Sequence, residues 1–209
     1  MKGLLLDTSS NDAIIALSDQ GKLLRSSLPS SLKASSTLSS GIQKLLQEAG
    51  IPIHQLNYIA IGIGPGSFLG TRIGVITAKS LSYGLKIPLV SFCSLQAYQP
   101  ISLGEFHVIS DAKSKGVYLL RGSKTADSLS YEETPSLYSA EELKQLIHKD
   151  SILITPHKEE LLRKTPFLSE NLTSITPSLP YLCEYCYEKF SLLQIETLDS
   201  LSIHYLRLS

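Results

Sequence analysis

Short apolar runs separated by polar turns open the chain. Residues 3–7 and 13–17 are two such runs, Ser18-Asp19-Gln20-Gly21 reads as a turn, and 22–28 is a third run. Three short strands with tight turns predict an antiparallel meander. The period then changes: Leu38, Ile42, Leu45, Leu46 and Ala49 recur at helical spacing, with Ser35 or Ser36 as a cap and Gly50 as a stop. A strand at 58–63, a helix at 71–85 and a strand at 88–91 complete a βαβ-type half, with a short helix expected at 95–98.

After residues 100–104 the style repeats. A strand at 106–110 runs into Asp111, a turn is expected at 113–116, and strands follow at 117–121 and near 131–137. Ser139 starts a helix carrying Leu143, Leu146 and Ile147; a strand at 152–155 and a helix at 180–193 close the pattern. The reading divides the chain into two α/β halves, 1–103 and 104–209, whose first strands end in Asp7 and Asp111. A repeated meander-plus-α/β half is the architecture of the actin-like, Hsp70-like and sugar-kinase (ASKHA) folds, where two hairpins clamp nucleotide phosphates between two subdomains. Fold analogy of this kind carries no activity with it.

Between the strand at 58–63 and the helix at 71–85 lies Gly62-Ile63-Gly64-Pro65-Gly66-Ser67-Phe68-Leu69-Gly70-Thr71-Arg72-Ile73-Gly74. A strand, a glycine-rich turn and a helix in that order aim backbone N–H groups at whatever sits over the helix N-terminus. Either a phosphate or a tight strand-to-helix turn fits that order. A P-loop requires Gly-Lys-Ser/Thr, and the corresponding residues are Gly70-Thr71-Arg72. A dinucleotide fingerprint also fails, because Gly64, Gly66 and Gly70 carry one residue too many and the next strand ends in Ser91-Phe92 without an acid.

Composition narrows the function. The 209 residues are 43% hydrophobic and 18% charged, and their formal net charge is zero. A protein that grips tRNA or DNA by itself usually carries a basic excess, so independent nucleic-acid affinity is not expected. Cys93, Cys183 and Cys186 do not make a disulfide framework. Cys183-Glu184-Tyr185-Cys186 matches C-x-x-C but falls in a helical run, where packing is favoured over redox or metal chemistry. The apolar run after Met1 is too short for a signal peptide, and no segment reaches transmembrane length. The expectation is a cytoplasmic protein with no membrane contact. His54, His107, His148, His157 and His204 are scattered, with no two within five residues, so no metal site is expected.

Leu4-Leu5-Leu6-Asp7-Thr8-Ser9, the whole 62–74 segment with Ala78-Lys79, Ile87-Pro88-Leu89-Val90, Ser94-Leu95 and Asp111-Ala112-Lys113 together resemble the TsaB (YeaZ) family, and Tyr205-Leu206-Arg207 resembles that family's C-terminal end. The order and spacing match from residue 3 to about residue 120; the rest of the second half matches in outline. The resemblance implies a noncatalytic partner of TsaD in the complex that forms N6-threonylcarbamoyladenosine beside the tRNA anticodon. It also implies an ATPase, TsaE, that joins the complex, a homodimer of the chain itself, and tRNA contact only through the complex. TsaD-like proteins hold a metal with a His-x-x-x-His pair, and the helix where that pair would sit, 35–49, has no histidine. Two departures from the family are Ala34-Ser35-Ser36, in place of a His-Ser-Glu, and Lys115-Gly116, in place of an acid after Asp111.

Asp7, Thr8, Ser9 and Asp111 stand where the resemblance to the superfamily would place a vestigial nucleotide cleft. Asp7 either orients a Mg²⁺-bound water or serves with Ser9 as a turn-forming hydrogen-bonding residue. The second reading is preferred, because Ser9 puts a Cβ where glycine would admit a phosphate. No cofactor is expected on the isolated chain, with at most a weak ATP or ADP contact within the complex. The helix after the glycine loop is apolar around most of its circumference, with Arg72, Lys79 and Lys86 in one wedge, and Gly70, Gly74, Ala78 and Ser82 form a small-residue stripe. Such a helix is covered on more than one side. It is either buried wholly in the monomer or, the reading adopted, forms a partner face from Leu38, Ile42, Leu45, Gly70, Arg72, Ile73, Gly74, Ala78 and Leu81. The alternative from another class is an active nucleotide-using enzyme or metallopeptidase of the same superfold.

Overall fold

Among the described residues a five-stranded and a six-stranded sheet organise the protein, and the two share one core strand order. The computed structural model describes residues 1–10, 13–28, 34–112 and 116–203. The 113–115 portion of the expected turn, Lys115 of the second departure, and Tyr205-Leu206-Arg207 lie outside the described residues.

The first sheet begins as the meander that its alternating runs predict. β1 (Lys2–Asp7), β2 (Ile14–Asp19) and β3 (Lys22–Ser27) pair antiparallel, with Leu4 opposite Leu17 and Leu6 opposite Ile15. α1 (Ala34–Ala49) follows, beginning one residue before Ser35, so Ser35 and Ser36 stand in its first turn and not at its cap. β4 (Leu56–Gly62) and β5 (Leu89–Phe92) then add in parallel, giving the order β3-β2-β1-β4-β5. α2 (Phe68–Leu85) makes the crossover between them. Its start at Phe68, three residues ahead of the expected Thr71, comes from Ser67, whose hydroxyl accepts the Gly70 N–H as an N-cap.

One face of this sheet is covered by α1 and α2. Leu4, Leu6, Ile15, Leu17, Ile59 and Ile61 pack there with Leu38, Ile42, Leu45 and Ala78 in one buried cluster. The other face is covered by α5 (Leu179–Ser191), whose Phe190 ring stacks on Tyr58 with centroids 4.6 Å apart. The Tyr58 hydroxyl shares a 3.2 Å hydrogen bond with Ser18, which satisfies both buried polar groups. The division at 103/104 therefore differs from the compact units: Met1–Ser94 and the segment from Leu179 form one, and Leu95–Ser178 forms the other. Helical periodicity identified α5 as a helix but could not say which sheet had a bare apolar face to receive it.

The second unit repeats the plan. β6 (Gly104–Asp111), β7 (Val117–Lys124) and β8 (Leu129–Tyr131) pair antiparallel, with β9 (Ser136–Tyr138) also on β7. The single strand expected near 131–137 is thus two short ones. α3 (Ala140–Leu146) opens with a capping box in which Ser139 and Glu142 satisfy each other's backbone N–H groups. β10 (Ile152–Thr155), α4 (Lys158–Lys164) and β11 (Leu172–Ser174) complete a sheet whose order is β11-β10-β6-β7-β8. No element is expected at α4 or β11: β11 has three residues, and the apolar residues of α4 are only the adjacent Leu161 and Leu162, so neither shows a period.

Candidate functional site

The site is built where β1 ends, and the 62–74 loop closes over it. Asp7 is buried at the end of β1, opposite Ile14. Its Oδ1 accepts the Ser9 N–H at 2.8 Å, an Asx-type turn. Burial raises its pKa above the ordinary carboxylate value, and hydrogen bonds from the Ser9 backbone, the Ser9 hydroxyl and the Ser94 hydroxyl partly offset that. The same Ser94 oxygen accepts the Gly64 N–H at 3.0 Å, so Ser94 ties the glycine loop to the aspartate. Gly62 is required here, since a Cβ would collide with the Asp7 carboxylate.

The rest of the loop packs on the β1–β2 turn. Ser67 N–H donates to Ser9 O at 2.6 Å, and the Thr8 hydroxyl donates to Gly70 O at 2.6 Å. Side chains at Gly66, Gly70 or Gly74 would run into Ser9 or Thr8. Pro65 is buried behind a cis Gly64–Pro65 peptide. Phosphate binding would need this backbone to be approachable. The turn that would have cradled phosphate is instead filled by the chain's own loop, and the N–H groups of Ser9, Gly64, Ser67 and Gly70 are spent within it. The described residues of this turn do not fit a nucleotide phosphate.

In the second unit, Asp111 ends β6 as Asp7 ends β1. Its Oδ1 accepts from Lys164 Nζ of α4. Two aspartates at equivalent places in the two sheets are thus engaged in different ways, Asp7 by burial with serine donors and Asp111 by an ion pair. Ser94 and Lys164 were not among the expected site residues. Ser94 had a signal, as a polar residue two positions past the end of β5, whereas Lys164 sat in an element that the pattern did not reveal.

The expected partner face is corrected in part. Leu38, Ile42 and Leu45 are consumed by the core, and Ile73 and Leu81 pack against that core as half-buried residues. Gly70, Gly74 and Ala78 point at β1, β4 and the β1–β2 turn. The reason is that close approach was needed between α2 and its own sheet. What α2 leaves outside is another stripe: Phe68 is 60% exposed, Leu69 66%, Ile76 63% and Tyr83 75%. Arg72 lies on that stripe, with its guanidinium carbon 3.8 Å from the Phe68 ring centroid, a cation–π contact. Beside it runs an open apolar groove of about 470 Å³ between α1 and α2, walled by Ile42, Leu46, Ile51, Pro52, Ile53 and Leu81.

Cys183 and Cys186 are buried in α5, and burial raises both thiols, Cys183 to about 12. Among the described residues no group of three His, Cys, Asp or Glu side chains could hold a metal ion. No helix among them is long and apolar enough to cross a membrane.

A meander followed by two parallel strands, once in each unit, places the protein in the ASKHA class of folds. Solved structures agree. YeaZ from Pseudomonas aeruginosa superposes with a TM-score of 0.75 at 19% identity, covering 98% of this chain and 99% of that one. Another solved protein, described as similar to peptidase YEAZ from Pseudomonas aeruginosa, gives 0.77 at 20% identity and 99% coverage of both. The model of the family "TsaD: tRNA N6-adenosine threonylcarbamoyltransferase" matches residues 30–181. The chain belongs to that family, and its named relatives lie on the TsaB (YeaZ) side of it. The tRNA threonylcarbamoyladenosine biosynthesis protein TsaB of Buchnera aphidicola from Schizaphis graminum is 38% identical over 82 residues, 37% of this chain and 39% of that protein. The TsaB protein of Haemophilus influenzae is 30% identical over 94 residues, 45% and 40%. An uncharacterized Mycobacterium tuberculosis protein is 32% identical over 84 residues, 40% of each. These matches span about 40% of the relatives' own length.

Proposed function

We propose that this protein is a noncatalytic subunit that docks a TsaD-type catalytic paralogue in the synthesis of threonylcarbamoyladenosine in tRNA. One observation carries the reading: the loop that could have held phosphate is packed into the β1–β2 turn, so its glycines serve the monomer's own core. The neighbouring α2 then presents Phe68, Leu69, Arg72, Ile76 and Tyr83 outward, an apolar stripe with one cation and the kind of surface that a partner covers. The partner face is therefore moved from the small-residue stripe to this outer one, with the α1–α2 groove beside it. A second copy of the chain can use the same stripe, and a TsaE-type ATPase joins the assembly. Any ATP or ADP contact is weak and forms only within it. A formal net charge of zero fits tRNA contact made through the complex.

The test is reconstitution of tRNA modification from purified components with and without this chain. Modification should require both the chain and the catalytic paralogue. The chain alone should hydrolyse neither ATP nor peptide and should bind tRNA weakly. Turnover by the pure chain that Asp7→Ala abolishes would establish the alternative, an active enzyme, and overturn the proposal.

A further inference from the structure

Lys79 is one of the three cations that the sequence grouped on α2, and the docking stripe does not account for it. Its Nζ donates to two backbone carbonyls of the C-terminal segment, Leu198 O at 2.6 Å and Leu201 O at 3.1 Å. Those carbonyls belong to a single turn closed by Leu201 N–H to Thr197 O at 3.2 Å. An ammonium at the carbonyl end of a turn satisfies its acceptors and interacts favourably with their dipoles.

The segment is fastened at its other end too. Glu196 N–H donates to Leu89 O on the edge strand β5, and the Glu196 carboxylate accepts from Ser91 and from Ser200. Thr197 and Ser200 exchange backbone-to-hydroxyl hydrogen bonds, which stiffens the turn. Leu201 is buried in the core cluster, with Leu198 and Ile203 packed beside it. Residues 196–203 thus form a strap running from the edge of the first sheet to α2.

The position of the strap on α2 matters. Lys79 is three residues after Ile76 and four before Tyr83, spacings that place all three side by side on the helix surface. The exposed stripe is therefore bordered on one flank by the α1–α2 groove and on the other by the strap. We propose that Lys79 locks the 196–203 strap onto α2 and that the locked strap is the second wall of the partner-docking surface. This rests on the docking reading given above. Lys79 is a positioning residue in this scheme, acting on the partner through the strap's backbone.

The experiment compares Lys79→Met, Lys79→Arg and Ile76→Glu with the unaltered chain. It reads the affinity for the TsaD-type paralogue by calorimetry, the Leu201 amide by hydrogen exchange, and the melting temperature. Lys79→Met should speed Leu201 exchange at least tenfold and weaken the partner about tenfold with little change in melting. Lys79→Arg should recover much of both, and Ile76→Glu should weaken the partner while leaving Leu201 exchange unchanged. If Ile76→Glu has no effect on affinity, the docking reading itself fails. If Ile76→Glu weakens the partner but Lys79→Met loosens the strap at unchanged affinity, the strap is no part of the interface and this inference alone falls. Unchanged Leu201 exchange in Lys79→Met would equally overturn it. Should Lys79→Met fold poorly, Ser200→Ala removes the hydroxyl's bonds to Thr197 and Glu196 within the strap without touching α2 and allows the same comparison.

Discussion

Lys164 Nζ reaches Asp111 Oδ1 at 2.6 Å, and the aspartate side chain that it meets is only 8% exposed. The pair joins α4 to the end of β6, so the one carboxylate of the second unit that stands where Asp7 stands in the first is already committed. Removing the cation leaves a carboxylate largely withdrawn from water, which costs about 1–3 kcal/mol when a buried partner is lost. Lys164→Ala should therefore lower the stability of the second unit by that order in urea unfolding, and Lys164→Arg should restore most of it. Equal stability of the alanine variant would show that the pair is solvated and contributes little.

Asp7 makes the opposite statement about pH. Its folded-state pKa is raised above the ordinary 3.8, chiefly by burial. The folded state thus holds the proton more tightly than the unfolded chain. The resulting stabilisation is fully present below the unfolded value and is lost as pH rises through the folded one. Relative to Asp7→Asn, which cannot ionise, the wild-type chain should lose stability on going from about pH 4 toward neutrality. Denaturation curves across that range measure the difference between the two proteins. Parallel pH profiles would mean that the donors from Ser9 and Ser94 cancel the effect of burial, and a relative gain in stability toward neutrality would mean that they outweigh it.

The thiols of α5 should be inert in the folded chain. Burial lifts Cys183 to about 12 and raises Cys186 as well, and the thiolate is the reactive form. Alkylation at pH 8 should be far slower in the native protein than in urea. Rapid labelling of either residue without unfolding would reopen the redox reading of the C-x-x-C spacing.

Much of the fold was legible because each element announced its own period. The three-strand meander, the helix at Leu38 to Ala49 and the repeat of Asp7 by Asp111 all follow from local pattern. Tertiary choice was not legible. Gly70, Gly74 and Ala78 mark a surface that another element approaches closely, but spacing alone does not say whether that element belongs to the same chain. Thr8 and Ile61 turned out to be the neighbours. Ser94 is tied to Asp7 by folding across 87 residues of chain (94 less 7), a relation without a periodic signature. α5 shows the same limit, since its apolar side fits any bare sheet face.

The two stripes of α2 can be separated by one pair of substitutions. Ala78 is fully buried against the first sheet, so Ala78→Leu inserts three carbons into a packed core. Overpacking of that kind costs about 1–3 kcal/mol, and each kcal/mol lowers the melting temperature of a chain of this size by about 2–4 °C. Leucine itself suits a helix, so a fall in melting temperature reports the packing and not the helix. Leu69, by contrast, stands outward in the first turn of α2, where a carboxylate is favoured by the helix dipole. Leu69→Glu should keep or slightly raise the melting temperature while placing a charge on the apolar stripe. Its affinity for the TsaD-type paralogue should fall roughly tenfold or more, which is about 1.4 kcal/mol or more. Calorimetric titration beside a thermal melt of each variant measures both effects. If Ala78→Leu melts normally and loses the partner while Leu69→Glu binds unchanged, the docking face is the small-residue stripe, and the outward stripe has another use.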